Sequence, residues 1–267
     1  MPQTRFLAVP GGQLAYDDTG TDGPLVVLLP GLGDRRQSYR LLRPALELAG
    51  YRVATMDLRG HGESTTGWNE YSQTAVGLDV IALLEHLDGG RAVLVGNSYA
   101  GGAVVWAAAQ APTLVAGIVP MNAFVRSTPK GPVLRLLTRA FAASPRLWVA
   151  GYGRAHPSAP PADLAEYRAV LAATLAEPGR RKALAAMLLG PMTEGERWSR
   201  SVNCPALVVM GAKDSYFPDP AAEAGLQARM LDCEARLIED AGHYPHSEFP
   251  DRTAGVMLPF LRDAFDG

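Results

Sequence analysis

The sequence predicts an α/β fold: a mostly parallel sheet of eight strands flanked by helices, with a helical segment inserted after the sixth strand. Three observations carry this. Short, mostly apolar runs at 25–29, 51–56, 92–95, 115–121 and 206–210 alternate with helix-compatible stretches, and such runs suit strands covered on both faces. Glycine-bounded loops follow several of them, at Gly31 and Gly33, at Gly60 and Gly62, and at Gly211. Between 126 and 200 the alternation gives way to helical runs punctuated by proline.

The chain has 267 residues, 48% of them hydrophobic, enough to bury one large core with an inserted subdomain. The expected division is a core of 1–125 and 201–267 and a separate helical unit of 126–200. A net charge of -2 offers no basic footprint for nucleic acid. Cys204 and Cys233 fit no metal-ligand spacing or disulfide framework and read as small core residues at strand starts. Residues 1–12 lack the apolar run of a signal peptide, and no stretch of about 18 apolar residues could span a bilayer. The expectation is a cytoplasmic protein with a small-molecule partner and no membrane partner; nothing in the sequence sets an oligomeric state.

In chain order, 5–8 and 13–17 form a hairpin turned by Pro10, Gly11 and Gly12. The strand 25–29 ends in Pro30, Gly31, Leu32, Gly33 and Asp34, a loop whose backbone N–H groups are left unpaired above the sheet. A helix over 38–49, closed by Gly50, leads to the strand 51–56. The run Asp57 to Ser64, DLRGHGES, reads as a tight turn held by its carboxylate and by Arg59, so Asp57 and His61 are structural. A helix over 71–87 carries Val76, Val80, Leu83, Leu84 and Leu87 on one face, with His86 near its negative end.

The stretch Ala92 to Gly102, AVLVGNSYAGG, is the centre of the pattern. A chain that passes from strand to helix within a few residues strains the corner residue and leaves its neighbours no room for side chains. Gly96, Ala100 and Gly101 supply that room, Ser98 is the corner, and the Tyr99 amide opens the helix where partial positive charge collects. A serine nucleophile needs this exposure and an oxyanion donor beside it.

The strand 115–121 is followed by Asn122, which cannot supply a negative charge. Helical runs at 133–143, 162–176, 180–189 and 194–201 are divided at Pro145, Pro157 to Pro161, Pro178 and Pro191. The core resumes with Cys204, Pro205 and the strand 206–210, so Asp214 sits at a strand's C-terminal end, where ligands and catalytic groups of open sheets collect. Its competitors are Asp219, an N-cap for the helix 220–231, and Asp240, too close in sequence to His243 to buttress it. After the strand 235–238 comes Ala241, Gly242 and His243, with His246 as rival; His156 lies in a proline-rich loop, and a helix over 251–265 closes the chain.

Pro30 to Gly33, Asp57 to Ser64, Gly96 to Gly102, Gly211 to Asp214 and Gly242-His243 together resemble the α/β-hydrolase family, including its chain order Ser, Asp, His. The resemblance implies the α/β-hydrolase fold with a triad of Ser98, Asp214 and His243. It also implies oxyanion donors at the Leu32 and Tyr99 amides, and a helical cap over 126–200 whose residues Phe141, Trp148, Met187 and Leu188 contact substrate. The Gly-His match favours His243 over His246. The implied chemistry is acyl transfer to Ser98 and then to water, with no cofactor and no metal. Ala100 departs from the usual glycine, and the cap is matched only in kind. Three readings of the reaction follow. The first is hydrolysis of a small to medium, mostly apolar carboxylic ester. In the second, Asn97 resembles the elbow of carbon–carbon bond hydrolases of dienoic diketones, with Arg180 or Arg181 for the substrate carboxylate, although Tyr244 stands where those carry Trp. The third is a ligand-binding protein or a non-hydrolytic lyase or cyclase on the same fold.

Overall fold

The computed structural model describes residues 3–126 and 132–266. Its strands are β1 (Arg5–Val9), β2 (Gly12–Asp18), β3 (Leu25–Leu29), β4 (Arg52–Met56), β5 (Ala92–Asn97), β6 (Val115–Met121), β7 (Leu207–Gly211) and β8 (Glu234–Ile238). They form one eight-stranded sheet in the order β1-β2-β4-β3-β5-β6-β7-β8. The β1–β2 and β2–β4 pairs are antiparallel and the remaining pairs parallel. Registers such as Leu28 opposite Thr55, Leu29 opposite Gly96, Asn97 opposite Met121 and Gly211 opposite Ile238 align the ends of the parallel strands β3 to β8, so six loops leave the sheet along one edge.

The helices before the insertion are α1 (Arg43–Leu48), α2 (Gln73–Leu87) and α3 (Tyr99–Gln110). Between β6 and β7 stand α4 (Pro132–Ala143), α5 (Pro145–Arg154), α6 (Leu164–Ala176), α7 (Pro178–Leu189) and α8 (Glu194–Trp198). Then follow α9 (Pro220–Leu231), the short α10 (Pro245–Glu248) and α11 (Pro250–Asp266). Alternate residues of a strand face opposite sides. Val27, Leu29, Ala54 and Leu94 accordingly pack with Val76, Val80 and Leu83 of α2 and Val104 of α3, while Val26, Leu28, Val53 and Val93 pack with Leu46 of α1 and Met257 and Leu261 of α11.

Several elements differ from the sequence reading. The helix expected over 38–49 is a 3-10 turn, Arg36–Arg40, followed by α1, because Pro44 occupies the first turn of α1. Pro145 and Pro178 likewise begin helices rather than separate them, so α5 is an element that the proline punctuation concealed. Residues 127–131 of the predicted helical unit lie outside the described residues. The turn after β4 is structural, as expected, with a different partner: Asp57 pairs with Arg36 at 2.5 Å and accepts the amides of Arg36 and Glu63, whereas Arg59 pairs with Asp79. Cys204 and Cys233 are free and half-buried. Among the described residues no helix is long and apolar enough to cross a membrane.

Candidate active site

Ser98 stands between β5 and α3 with φ 57 and ψ -119, a conformation strained for any residue but glycine. Its neighbours are small for a physical reason. A β-carbon at Gly96 would come 2.6 Å from the Ala100 carbonyl oxygen, and one at Gly101 would come 2.2 Å from Ala123 Cβ. The corner is held by its backbone: the Ser98 amide donates to Met121 O at 2.9 Å, and its carbonyl accepts from Gly101 and Phe124. Gln73 fastens the start of α3 by donating to the carbonyls of Tyr99 and Phe124.

The loop after β3 lies directly against this corner. A β-carbon at Gly31 would stand 3.0 Å from Ser98 Cβ and 3.5 Å from its Oγ. Leu32, the next residue, is buried beside it, and Gly33 turns the loop at φ 65.

Asp214 and His243 come together from the loops after β7 and β8, with Asp214 Oδ2 2.6 Å from His243 Nδ1. Asn122 donates to the same Oδ2 at 2.7 Å, and the Tyr216 amide donates to Oδ1 at 3.0 Å. Burial alone would raise the Asp214 carboxyl. The adjacent His243 and the hydrogen bonds from His243, Asn122 and Tyr216 outweigh it and hold the group below the usual carboxylate range. With Nδ1 committed to Asp214, Nε2 is the ring nitrogen left without that carboxylate. Asn97, the residue before Ser98, donates to the His243 carbonyl at 3.2 Å and so ties the loop of His243 to the Ser98 corner. Among the described residues the site's hydrogen bonds join His243 to Asp214 but not to Ser98 Oγ.

The competitors have other partners. Asp219 caps α9 by accepting from Ala222 at 2.9 Å, and Asp240 is exposed beside Lys213. His246 is fully buried, stacked 4.4 Å from Tyr39, and burial lowers its pKa well below the usual imidazole range. His61 bonds the Arg59 carbonyl and burial pushes it down to about 4. His156 lies between Tyr152 and Ser247, and His86 meets Tyr16. Arg180 is held by Glu177 and the Ser64 carbonyl, and Arg181 caps the end of α6 at the Leu175 and Ala176 carbonyls, so both guanidiniums already have partners.

Of the predicted contact residues, Trp148 lies against Gly33 and 5.2 Å from Phe141. Met187 is fully buried in the main apolar cluster, with Leu188 packed against that cluster. The sequence reading passed over Asn122 because it asked only for a charge, and it did not mark the rings around His243. Tyr216 stands 4.5 Å from it edge-on and Phe124 5.9 Å away, with Phe217 tilted against Phe124 at 4.9 Å. Their signal was position: each follows closely on a strand end that supplies a site residue.

Known proteins resemble the chain over nearly its whole length. It is 30% identical to the magnesium-chelatase 30 kDa subunit of Rhodobacter capsulatus, over 91% of this chain and 89% of that one. It is 28% identical to the dihydrolipoyllysine-residue acetyltransferase component of the acetoin cleaving system of Pseudomonas putida, over 94% of this chain and 68% of that protein. A thermophilic esterase from Thermogutta terrifontis superposes with a TM-score of 0.77 at 26% identity, covering 98% of this chain and 99% of that one. The model of the alpha/beta hydrolase family matches residues 26–256, and with the sheet order and strained serine corner already described, the chain belongs to that family.

Proposed function

We propose that the chain is a serine hydrolase that cleaves a small to medium, mostly apolar carboxylic ester through an acyl-serine intermediate. The observation that carries this reading is the 2.6 Å Asp214–His243 pair standing at strand ends beside a serine in strained geometry. A serine hydroxyl is a weak nucleophile until a base takes its proton. His243 Nε2 accepts that proton as Ser98 Oγ attacks the ester carbonyl, and Asp214 stabilises the imidazolium and fixes the ring's tautomer. The amides of Leu32 and Tyr99 bind the oxyanion, each contributing about 3 to 4 kcal/mol in the transition state. The imidazolium returns its proton to the departing alcohol. His243 then activates water to release the acid and free Ser98. Residues 126–200 serve as the cap in this reading, with Phe141, Trp148, Met187 and Leu188 toward the substrate, in a cytoplasmic enzyme.

Support comes from the aromatic rings of Phe124, Tyr216 and Tyr244 around His243, and the partners already taken by Arg180 and Arg181 count against a guanidinium held for a substrate carboxylate. Intact-mass analysis after fluorophosphonate treatment tests the nucleophile. One adduct is expected on the wild type and none on Ser98→Ala or His243→Ala, with hydrolysis of p-nitrophenyl butyrate lost in the same variants. A folded wild type that takes no adduct and cleaves no ester of any acyl length would overturn the reading.

A further inference from the structure

Each backbone polar group of Gly242 and His243 is held by a partner. The Gly242 carbonyl accepts from Asn122 at 3.2 Å, and the His243 carbonyl accepts from Asn97 at 3.2 Å. The His243 amide donates to the Ala155 carbonyl at 3.0 Å, and the Gly242 amide donates to Glu248 Oε2 at 2.7 Å. Glu248 ends the short helix α10 and is buried. Its other oxygen, Oε1, accepts from the Ser158 amide at 2.7 Å and the Ala159 amide at 2.9 Å. One side chain therefore joins the loop of His243 to the segment between α5 and α6, although Ser158 and Glu248 are 90 residues apart in the chain. That segment lies directly against the loop: a β-carbon on Gly242 would come 2.2 Å from the Ala155 carbonyl oxygen and 2.4 Å from Pro157 Cδ.

The chemistry of this junction asks for a carboxylate. An ionised carboxylate accepts on both oxygens and donates nothing, so it can serve three amides that face it from two sides. Hydrogen bonds to a charged acceptor are also roughly twice as strong as neutral ones. A glutamine would turn its NH2 group toward at least one of these amides, donor against donor, and an aspartate is one methylene too short to reach both sides. All three partners are main-chain groups, so the carboxylate governs where two stretches of backbone stand. Arg40 and Asp163, at 2.6 Å, tie the insertion to the core without touching the loop of His243. The Glu248 tie ends instead on the amide next to the residue whose ring meets Asp214 at 2.6 Å.

We propose that Glu248 is a positioning residue for His243: by holding the Gly242 amide on one oxygen and the amides of residues 158 and 159 on the other, it fixes the imidazole against Asp214. The proposal rests on the ester-hydrolase reading, in which His243 is the base, and adds to it a residue that touches neither substrate nor reacting atoms.

Glu248→Gln and Glu248→Asp test it, with Ser247→Ala for comparison. Ser247→Ala removes the 3.4 Å contact to His156, a neighbouring link to the same segment, and leaves Gly242 untouched. Two readouts are taken at a temperature where circular dichroism shows the fold intact. The first is the far-downfield proton resonance of His243 Nδ1–H shared with Asp214, assigned by its absence from His243→Ala. It should shift or vanish in both Glu248 variants and stay in place in Ser247→Ala. The second is ester hydrolysis: kcat should fall by roughly tenfold to a hundredfold in the Glu248 variants with KM changed by less than about threefold, because a base displaced by about 1 Å weakens the transition state. Where Glu248→Gln does not fold, Glu248→Asp, which keeps the charge, carries the test. A resonance that stays in place in a folded Glu248 variant overturns the proposal, as does an equal loss in Ser247→Ala or a loss confined to KM. Absence of both hydrolysis and fluorophosphonate adduct in the wild type overturns the hydrolase reading instead, and the resonance alone then judges Glu248.

Discussion

Asn122 Nδ2 lies 2.7 Å from Asp214 Oδ2, the same carboxylate oxygen that meets the His243 ring at 2.6 Å. Asn122 is fully buried and left-handed at φ 46. Its side chain also donates to the Gly242 carbonyl and accepts from the Gly211 amide. One side chain thus joins the loops after β6, β7 and β8.

Asn122→Ala should therefore act on stability and on catalysis together. It leaves the buried Gly211 amide unpaired, which costs about 1 to 3 kcal/mol and lowers the urea midpoint. It also removes one of the bonds that keep Asp214 ionised, so the acid limb of the pH–rate profile moves upward. An unchanged midpoint and an unchanged limb would deny Asn122 this role.

Asp214→Asn should retain the fold and lower kcat by about 10⁴-fold, because the amide holds His243 in the wrong tautomer. Circular dichroism and ester kinetics on the purified variant check this, and a loss of less than tenfold would move the acid elsewhere.

Gly31→Ala places a methyl 3.0 Å from Ser98 Cβ and 3.1 Å from Asn97 Oδ1, tighter than ordinary contact. The loop must retreat by a few tenths of an ångström, taking the Leu32 amide from the oxyanion position proposed for it. The expected loss in kcat is up to about 10²-fold with a much smaller change in KM. A loss confined to KM would place the loop's role in ground-state binding.

Asp34→Asn tests the buried carboxyl through pH. Burial raises the Asp34 pKa from 3.8 to about 6, so between those values the native chain keeps a proton that the unfolded chain has lost. Stability from this group is fully present below about pH 4 and falls as pH rises through 6, by about 3 kcal/mol in all. Asparagine retains an oxygen for Tyr167 and Arg35 and does not titrate. The urea-derived difference between variant and wild type should accordingly grow in the variant's favour from pH 4 to pH 7; a flat difference would mean that Asp34 is not strained by ionisation.

Much of the site was legible because it is written locally. The small residues around Ser98, the glycines after β3, and Asp219 at the head of α9 each obey rules that span a few residues, and the structure places them accordingly. What was illegible was of two kinds. Prolines at 145 and 178 read as breaks, yet each occupies the first turn of a helix, where its missing N–H is not needed. Partners distant in sequence were the other kind. Asp57 has Arg59 two residues away and Arg36 twenty-one residues away, and only the pairing of β3 with β4 brings the second one in. Asn122 and Asp214 meet through the same kind of strand neighbourhood, which no local rule could announce.

The backbone angles of Ser98 carry a consequence for anyone improving this protein. A residue with φ 57 and ψ -119 costs about 1 to 3 kcal/mol relative to relaxed backbone, and glycine escapes most of that penalty. A library screened for heat resistance alone would therefore enrich Ser98→Gly, and with Ser98 as the proposed nucleophile its hardiest survivors would be inert. Selection for thermal tolerance and selection for turnover pull this position in opposite directions, so an engineering campaign must score both from the first round.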